Sequence, residues 1–361
     1  MSHTRDDKSA PKEYYKIATS QNPVSHVGHT SPLVPNVVPE LCPVSCSEQS
    51  STSIQASKKT NVSSNMILRI PPRRIALCGG GIRGVAHVGV MKAFHDHGIF
   101  NHIKEVIGIS AGAFIGLLWT LEYTIPQMEL LALEFDFTVL RNFEPESILS
   151  FPLTFGLDDG SKIDKLITSV LKQKGFGPDV TFEQISAKYS MLFRCYATEL
   201  QTLKFREFGT LKTPKTSVKF AVRASMALPF FYTPMKDPKS NLLFVDGAVL
   251  HNLPLAFLKE HEICETWGVL FIVQASETVE PIQDIMQVVR YIYDCSTVMK
   301  SAPYMEKFGD KIICIPAGDF GTLQLGKTRE ERAQLIQRAY SITKKFMYSL
   351  SKPRHRRFSA S

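Results

Sequence analysis

The stretch Glu105-Val106-Ile107-Gly108-Ile109-Ser110-Ala111-Gly112-Ala113-Phe114-Ile115-Gly116 decides the fold. An apolar strand leads into Ser110 and a helix of small residues leaves it, with Gly108-Ile109-Ser110-Ala111-Gly112 matching the G-x-S-x-G pattern of a nucleophile elbow. A serine on such a strand-to-helix turn sits in strained backbone while neighbouring chain passes close by, which is why Gly108 and Gly112 flank it. Taken alone, the stretch also fits an ordinary tight turn between a strand and a helix.

Working outward, short apolar runs alternate with helical periodicity from Arg73 onward, the signature of βα units and a mainly parallel sheet. Strands are expected over 74–79, 105–109, 189–197, 203–208, 242–245, 267–274 and 311–315. Helices are expected over 84–97, 111–122, 161–174, 218–227 and 281–300. A last helix carries Leu335, Ala339, Ile342, Phe346 and Leu350 on its apolar face. Ser161-Lys162-Ile163-Asp164 reads as a capping box. No internal repeat is present.

Two further stretches carry chemistry. Gly79-Gly80-Gly81-Ile82-Arg83-Gly84 follows the strand Ile75-Ala76-Leu77-Cys78. Consecutive glycines let backbone N–H groups turn outward, and the next helix adds its positive end, so the loop is an anion cradle. The same residues satisfy G-x-G-x-x-G, the dinucleotide fingerprint. That fold wants an acid closing the next strand, but Glu105 opens it and Ser110 stands at its end. The other stretch is Asp246-Gly247-Ala248, after the apolar strand Leu242-Leu243-Phe244-Val245. Asp-Gly after a strand is ordinarily a turn; within reach of Ser110 it is also a base.

Composition and charge narrow the classes. The chain has 361 residues, 44% of them hydrophobic and 21% charged, as in a globular protein with a sizeable core. The net charge of +8 is concentrated: residues 326–361 hold ten Lys or Arg against Glu330 and Glu331, and the rest is close to neutral. A broad basic face for nucleic acid is therefore not expected, whereas a basic tail suits solvation or peripheral contact with phospholipid headgroups. Seven scattered cysteines give neither a disulfide framework nor a zinc spacing. His87, His95, His97 and His102 lack carboxylate or cysteine partners at ligating spacings, and no EF-hand-like loop occurs, so neither metal nor cofactor is expected.

Residues 1–68 read as a disordered leader: no aromatic lies between Tyr15 and Phe94, and residues 20–56 hold five prolines and ten Ser or Thr. The start Met1-Ser2-His3-Thr4-Arg5 has no apolar signal region, so the sequon at Asn61 should be unused. The longest apolar run, Val106–Leu121, is 16 residues, short of the ~20 a membrane span needs. An intracellular protein, cytoplasmic or peripherally membrane-associated, is expected. The organisation is then leader 1–68, main domain 69–325 and basic helix with tail 326–361.

Glycine cradle, serine elbow and strand-end aspartate, in that order, closely resemble the three signatures of the patatin-like phospholipase family over roughly residues 74–320. Further similarities are Gly156-Leu157-Asp158-Asp159-Gly160, Ala224-Ser225-Met226-Ala227-Leu228-Pro229, and Asn252 and Pro254. The resemblance implies a three-layer α/β/α hydrolase domain acting on ester bonds of phospholipids or related lipids through a Ser–Asp dyad. Carried onto this chain, Ser110 attacks the carbonyl, Asp246 takes its proton, and the Gly80 and Gly81 amides hold the oxyanion. Arg83 steadies the loop, meets the substrate phosphate, or is a solvated side chain in the first helical turn. Phe230, Phe231 and Tyr232 either line an acyl channel or pack in the core.

Three rival readings stay open. A Ser-His-Asp triad needs a histidine after the acid, with His251, His261 and His355 as candidates. A non-catalytic lipid-binding relative would keep the fold, and a dinucleotide-binding protein would keep only the glycine loop.

Overall fold

The computed structural model describes residues 71–144, 146–272, 281–283 and 285–351. The leader, Asn61, His355 and the tail from residue 352 lie outside the described residues. Among the described residues ten strands form, in chain order β1 Arg74–Leu77, β2 Glu105–Gly108, β3 Gly156–Asp158, β4 Leu192–Glu199, β5 Lys204–Gly209, β6 Phe230–Tyr232, β7 Met235–Lys236, β8 Leu243–Asp246, β9 Thr266–Ile272 and β10 Ile312–Pro316. The helices are α1 Ala86–Asp96, α2 Ala111–Thr120, α3 Ile125–Glu134, α4 Glu146–Thr154, α5 Ser161–Gln173, α6 Phe182–Lys188, α7 Val218–Ser225, α8 Glu260–Cys264, α9 Ile285–Phe308 and α10 Arg329–Ser351.

The main sheet runs β10-β9-β1-β2-β4-β8-β7, with β5 also paired to β4. Strands β10, β9, β1, β2 and β4 are mutually parallel, while β8, β7 and β5 join antiparallel. β1 and β2 are almost wholly buried, as expected of strands covered on both faces. Helices α1, α2, α7 and α10 pack over one face. The other face carries the 3-10 turn Pro254–Phe257, where Phe257 packs on Tyr196 of β4 at 4.7 Å between ring centroids, and α9, whose Tyr304 meets His251 at 5.1 Å. The expected α/β class with a mainly parallel central sheet is what forms.

At the N-terminal ends of the strands, Glu105 binds Arg74 and Arg194, each at 2.7 Å, and Arg194 also reaches Glu262 at 2.8 Å. Glu105 is thus a structural ion partner at the edge opposite the glycine loop, where no ribose would meet it.

The expected capping box at Ser161 does not form. Gly160 precedes α5 at φ 74° and the N-cap makes no side-chain hydrogen bond; instead Asp159 Oδ1 accepts the Ser161 N–H at 2.9 Å. The helix opens at Ser161 itself, so the serine stands one position too late to cap. Capping boxes do occur at Thr124–Gln127 and Thr181–Gln184, opening α3 and α6. The expected 267–274 strand spans 266–272, residues 273 and 274 lying outside the described set. The expected 281–300 helix begins at Ile285 and continues through Pro303 to Phe308.

The basic C-terminal segment is partly built into the domain. α10 lies along α1, burying Leu335, Ile336, Ala339 and Met347. Arg332 is itself buried, donating at 2.8 Å to both the Leu133 and Phe135 carbonyls at the end of α3, and Arg329 pairs with Glu134 at 2.8 Å. Among the described residues no helix is long and apolar enough to cross a membrane.

Candidate active site

Register brings the two candidate residues level. Gly108 of β2 lies opposite Cys195 of β4, so Ser110, two residues on, stands level with Ala197; Ala197 in turn lies opposite Asp246 of β8. Because β8 runs antiparallel, its last residue arrives beside the elbow from the opposite direction. The Ser110 side chain and the Asp246 carboxylate line one cavity, with the hydroxyl near enough to hold the carboxyl's pKa down against burial.

Ser110 has φ 54° and ψ −125°, a conformation costly for any residue with a side chain, and it is held by its surroundings. Its backbone N–H donates to Ser225 Oγ at 2.9 Å, and that hydroxyl donates to the Tyr196 carbonyl at 2.7 Å. Gly112 lets α2 start against the sheet, since a Cβ there would lie 2.3 Å from the Leu77 carbonyl oxygen. Gly108 and Gly247 likewise sit hard against backbone, of Ala113 and Tyr196. They support the elbow and the aspartate turn from behind.

Asp246 is 2% exposed. Burial raises its pKa to about 6, opposed by the nearby Ser110 hydroxyl and by the Ala248 amide, whose N–H donates to Oδ1 at 2.9 Å. A carboxylate so placed accepts a proton more readily than a solvated aspartate, while remaining ionised at neutral pH.

The glycine loop is pressed against the serine: a Cβ on Gly79 would stand 2.8 Å from Ser110 Cβ. The Gly79 N–H is taken by Asn252 Oδ1 at 2.8 Å, and Asn252 Nδ2 donates back to the Gly79 carbonyl at 3.3 Å. Among the described residues no hydrogen bond takes up the Gly80 or Gly81 amide. Gly81 has φ 55°, and a Cβ there would come within 1.9 Å of the Thr322 carbonyl oxygen. Only glycine fits. Gly84 packs on Ala111, joining the loop to the elbow. Arg83 is buried and bound, its Nε donating to Phe320 O at 2.5 Å and its Nη1 reaching Asp294 Oδ1 at 3.3 Å. Steadying the loop is the role this geometry fits.

Beside the serine opens an apolar cavity of about 890 Å3, counted with the open space at its mouth, lined by Phe114, Leu118, Met128, Leu131, Leu166 and Tyr232 among others. Of the three aromatics singled out in the sequence, Tyr232 lines it, Phe231 is in the core and Phe230 is exposed. Asp158 is buried and taken up by backbone, accepting the Asn142 and Gly160 amides at 2.6 and 2.7 Å. The Asp158-Asp159-Gly160 motif thus shapes a turn.

The histidines are committed elsewhere. His251 Nδ1 accepts the Leu253 N–H at 3.1 Å and Nε2 donates to the Lys300 carbonyl at 3.0 Å; burial lowers its pKa. Neither nitrogen is available to Ser110. His261 is exposed on α8, just before β9 begins, at the sheet edge remote from the elbow. His87, buried, donates from Nε2 to the Cys78 carbonyl at 2.9 Å, and burial lowers its pKa to about 4. His251→Gln and His261→Gln are each expected to keep acylation by a small activated ester within about tenfold, or ~1.4 kcal/mol. Single-turnover kinetics on variants shown to fold by thermal melt would check this, and a collapse in either would move the base role to that histidine.

Ser225 and Asn252 stand out in the sequence only as points of family likeness, without a role. Their hydrogen bonds cross 115 and 173 residues to the elbow and the glycine loop, and no local spacing signals them.

An α/β sheet presenting a strained serine beside a buried carboxylate, next to two loop amides that no group among the described residues occupies, defines a serine–carboxylate site on a parallel-sheet scaffold. The family model described as patatin-like phospholipase matches residues 75–259, just over half the chain, and the protein belongs to that family. It is 28% identical over 200 residues to the uncharacterized protein R571 of Acanthamoeba polyphaga mimivirus, covering 55% of this chain and 65% of that one. It is 33% identical over 180 residues to neuropathy target esterase sws of Drosophila grimshawi, covering 50% of this chain and 11% of that one. The chain therefore spans less than two thirds of either relative's length. Among solved structures, VipD from Legionella pneumophila superposes with a TM-score of 0.54 at 16% identity, over 78% of this chain and 68% of that one. That likeness is one of fold.

Proposed function

We propose that this protein is a serine-dependent lipid acyl hydrolase, of phospholipase A or lysophospholipase type, working through Ser110 and Asp246. The placement of the Ser110 hydroxyl beside the buried Asp246 carboxylate, level across β2, β4 and β8, carries the reading. Asp246 takes the hydroxyl proton as Ser110 Oγ bonds to the ester carbonyl carbon, and the carbonyl oxygen becomes an anion facing the Gly80 and Gly81 amides. Collapse expels the alcohol, which takes the proton from Asp246 and leaves an acyl-serine. Water, deprotonated by the same carboxylate, releases the fatty acid and restores the hydroxyl. The apolar cavity beside Ser110 suits an acyl chain. Membership of a phospholipase family and similarity to an esterase support a lipid ester as substrate. Mass spectrometry of lipid products with wild type beside Ser110→Ala tests the proposal; the same products from both proteins would sink it.

The raised pKa of Asp246 fixes the direction of the pH profile. The carboxyl must be ionised to accept a proton, so acylation is lost as pH falls through about 6 and is full above it. The expected kcat/KM for a soluble ester is level above neutrality and drops about tenfold per pH unit on the acid side. Rates unchanged down to about pH 4.5 in a folded protein would exclude Asp246 as base.

A further inference from the structure

The space at Ser110 has a second, polar side. A cavity of about 510 Å3, again counted with its open mouth, is lined by Gly80, Ser110 and Asp246 and, across from them, by Arg290, Tyr293, Asp294 and Thr297. These four recur at three- and four-residue spacing along α9, so they share one face of that helix. Lys300 Nζ donates to the Val249 carbonyl at 3.0 Å, and His251 donates to the Lys300 carbonyl, so the helix is tied to the turn that follows Asp246. Tyr293 lies near enough to Asp246 for that carboxylate to add to the effect of burial in raising the phenol's pKa. All of α9 falls outside the family match.

The charges on this wall are unequally satisfied. Arg83 has Phe320 O and Asp294 Oδ1. Arg290 has one long contact, Nε to Asp294 Oδ2 at 3.9 Å, and rests on the Tyr291 ring at 4.5 Å. Its Nε is buried with no hydrogen-bond partner among the described residues. Two guanidiniums thus share the carboxylate of Asp294, and both line the cavity beside the reacting serine; among the described residues the Arg290 Nε and Asp294 Oδ2, 3.9 Å apart, are left without a hydrogen-bond partner. A partly buried guanidinium in that state is stabilised by an added anion, and its planar fork matches phosphate oxygens.

We propose that this cavity is the subsite for the phosphate ester group of a phospholipid substrate, with Arg290 as the residue that recognises it. The acyl chain then occupies the apolar cavity on the other side of Ser110, and the scissile ester lies between the two. Arg83 is a positioning residue that fixes Asp294 and the glycine loop. This inference rests on the lipid-ester reading above.

The test compares a lysophosphatidylcholine with the monoacylglycerol of the same acyl chain, using full-length wild type, Arg290→Gln and Arg290→Lys. The ratio of kcat/KM for the phospholipid to that for the neutral ester should fall about tenfold or more in Arg290→Gln, chiefly through KM. Arg290→Lys, which keeps the charge without the fork, should fall between it and wild type. A ratio within about twofold of wild type in folded Arg290→Gln overturns the subsite. If that variant fails to fold by thermal melt, an unchanged ratio in Arg290→Lys overturns it. Wild type that cleaves only the neutral ester refutes the subsite alone, and wild type that cleaves neither refutes the lipid-ester reading with it.

Discussion

Ser110→Ala, Asp246→Asn and the double variant are each expected to lose roughly 10^3- to 10^4-fold in acylation, the double being no worse than the more damaged single. Residues that act as one unit show this non-additivity, because removing either partner already disables the proton transfer. Both substitutions spare the fold. Alanine at 110 keeps the Cβ and the backbone N–H that donates to Ser225 Oγ at 2.9 Å, and asparagine at 246 still offers an oxygen to the Ala248 amide. Pre-steady-state acylation by an activated ester, with a thermal melt on each protein, measures the effect. Multiplied losses in the double variant would mean that the two residues act independently, and appreciable turnover by folded Ser110→Ala would remove the serine from the chemistry.

Gly81→Ala is expected to lose roughly 10^2- to 10^3-fold in kcat, the loss typical of a displaced oxyanion donor. Two causes converge on that residue. Its φ of 55° strains any L side chain, and the new Cβ would stand 1.9 Å from the Thr322 carbonyl oxygen, so the loop has to move. Gly175→Ala separates them. That glycine, at φ 81°, has nothing within 4 Å of where an alanine methyl would sit, and it lies beyond the end of α5, away from the cavity-lining Ile163 and Leu166. The substitution should cost about 1 kcal/mol of stability and leave acylation near wild type. Equal activity losses in the two variants would show that backbone strain, and no local displacement of the Gly80 and Gly81 amides, sets the rate.

Several elements were legible because their signals are local. Ser110 and its glycines announce a turn through backbone geometry that few other residues accept, and the buried runs Ile75-Ala76-Leu77 and Val106-Ile107 announce strands covered on both faces. Thr124 with Gln127 and Thr181 with Gln184 are equally local helix signals, which apolar periodicity alone passes over. α4 breaks the link between apolar residues and burial that the periodicity argument uses: it carries Ile148, Leu149, Phe151 and Leu153, yet none of its residues is buried and Leu149 and Leu153 are both 83% exposed. The Ser161 box failed for the converse reason: the pattern was present, but the turn at Gly160 placed Asp159 to accept the Ser161 amide instead.

What the sequence by itself determined is the set of pieces: an α/β chain, a strained serine, an anion-binding glycine loop and an acid after an apolar strand. Each follows from steric or hydrogen-bonding demands within a few residues. Tertiary structure alone decided how they meet. The antiparallel entry of β8 sets Asp246 level with Ser110; Ser225 and Asn252 lock the elbow and loop from distant parts of the chain; and backbone groups claim both nitrogens of His251. Arg290 of α9 faces the serine for the same reason. Such contacts depend on sheet order and helix docking, and neither leaves a spacing that can be read along the chain.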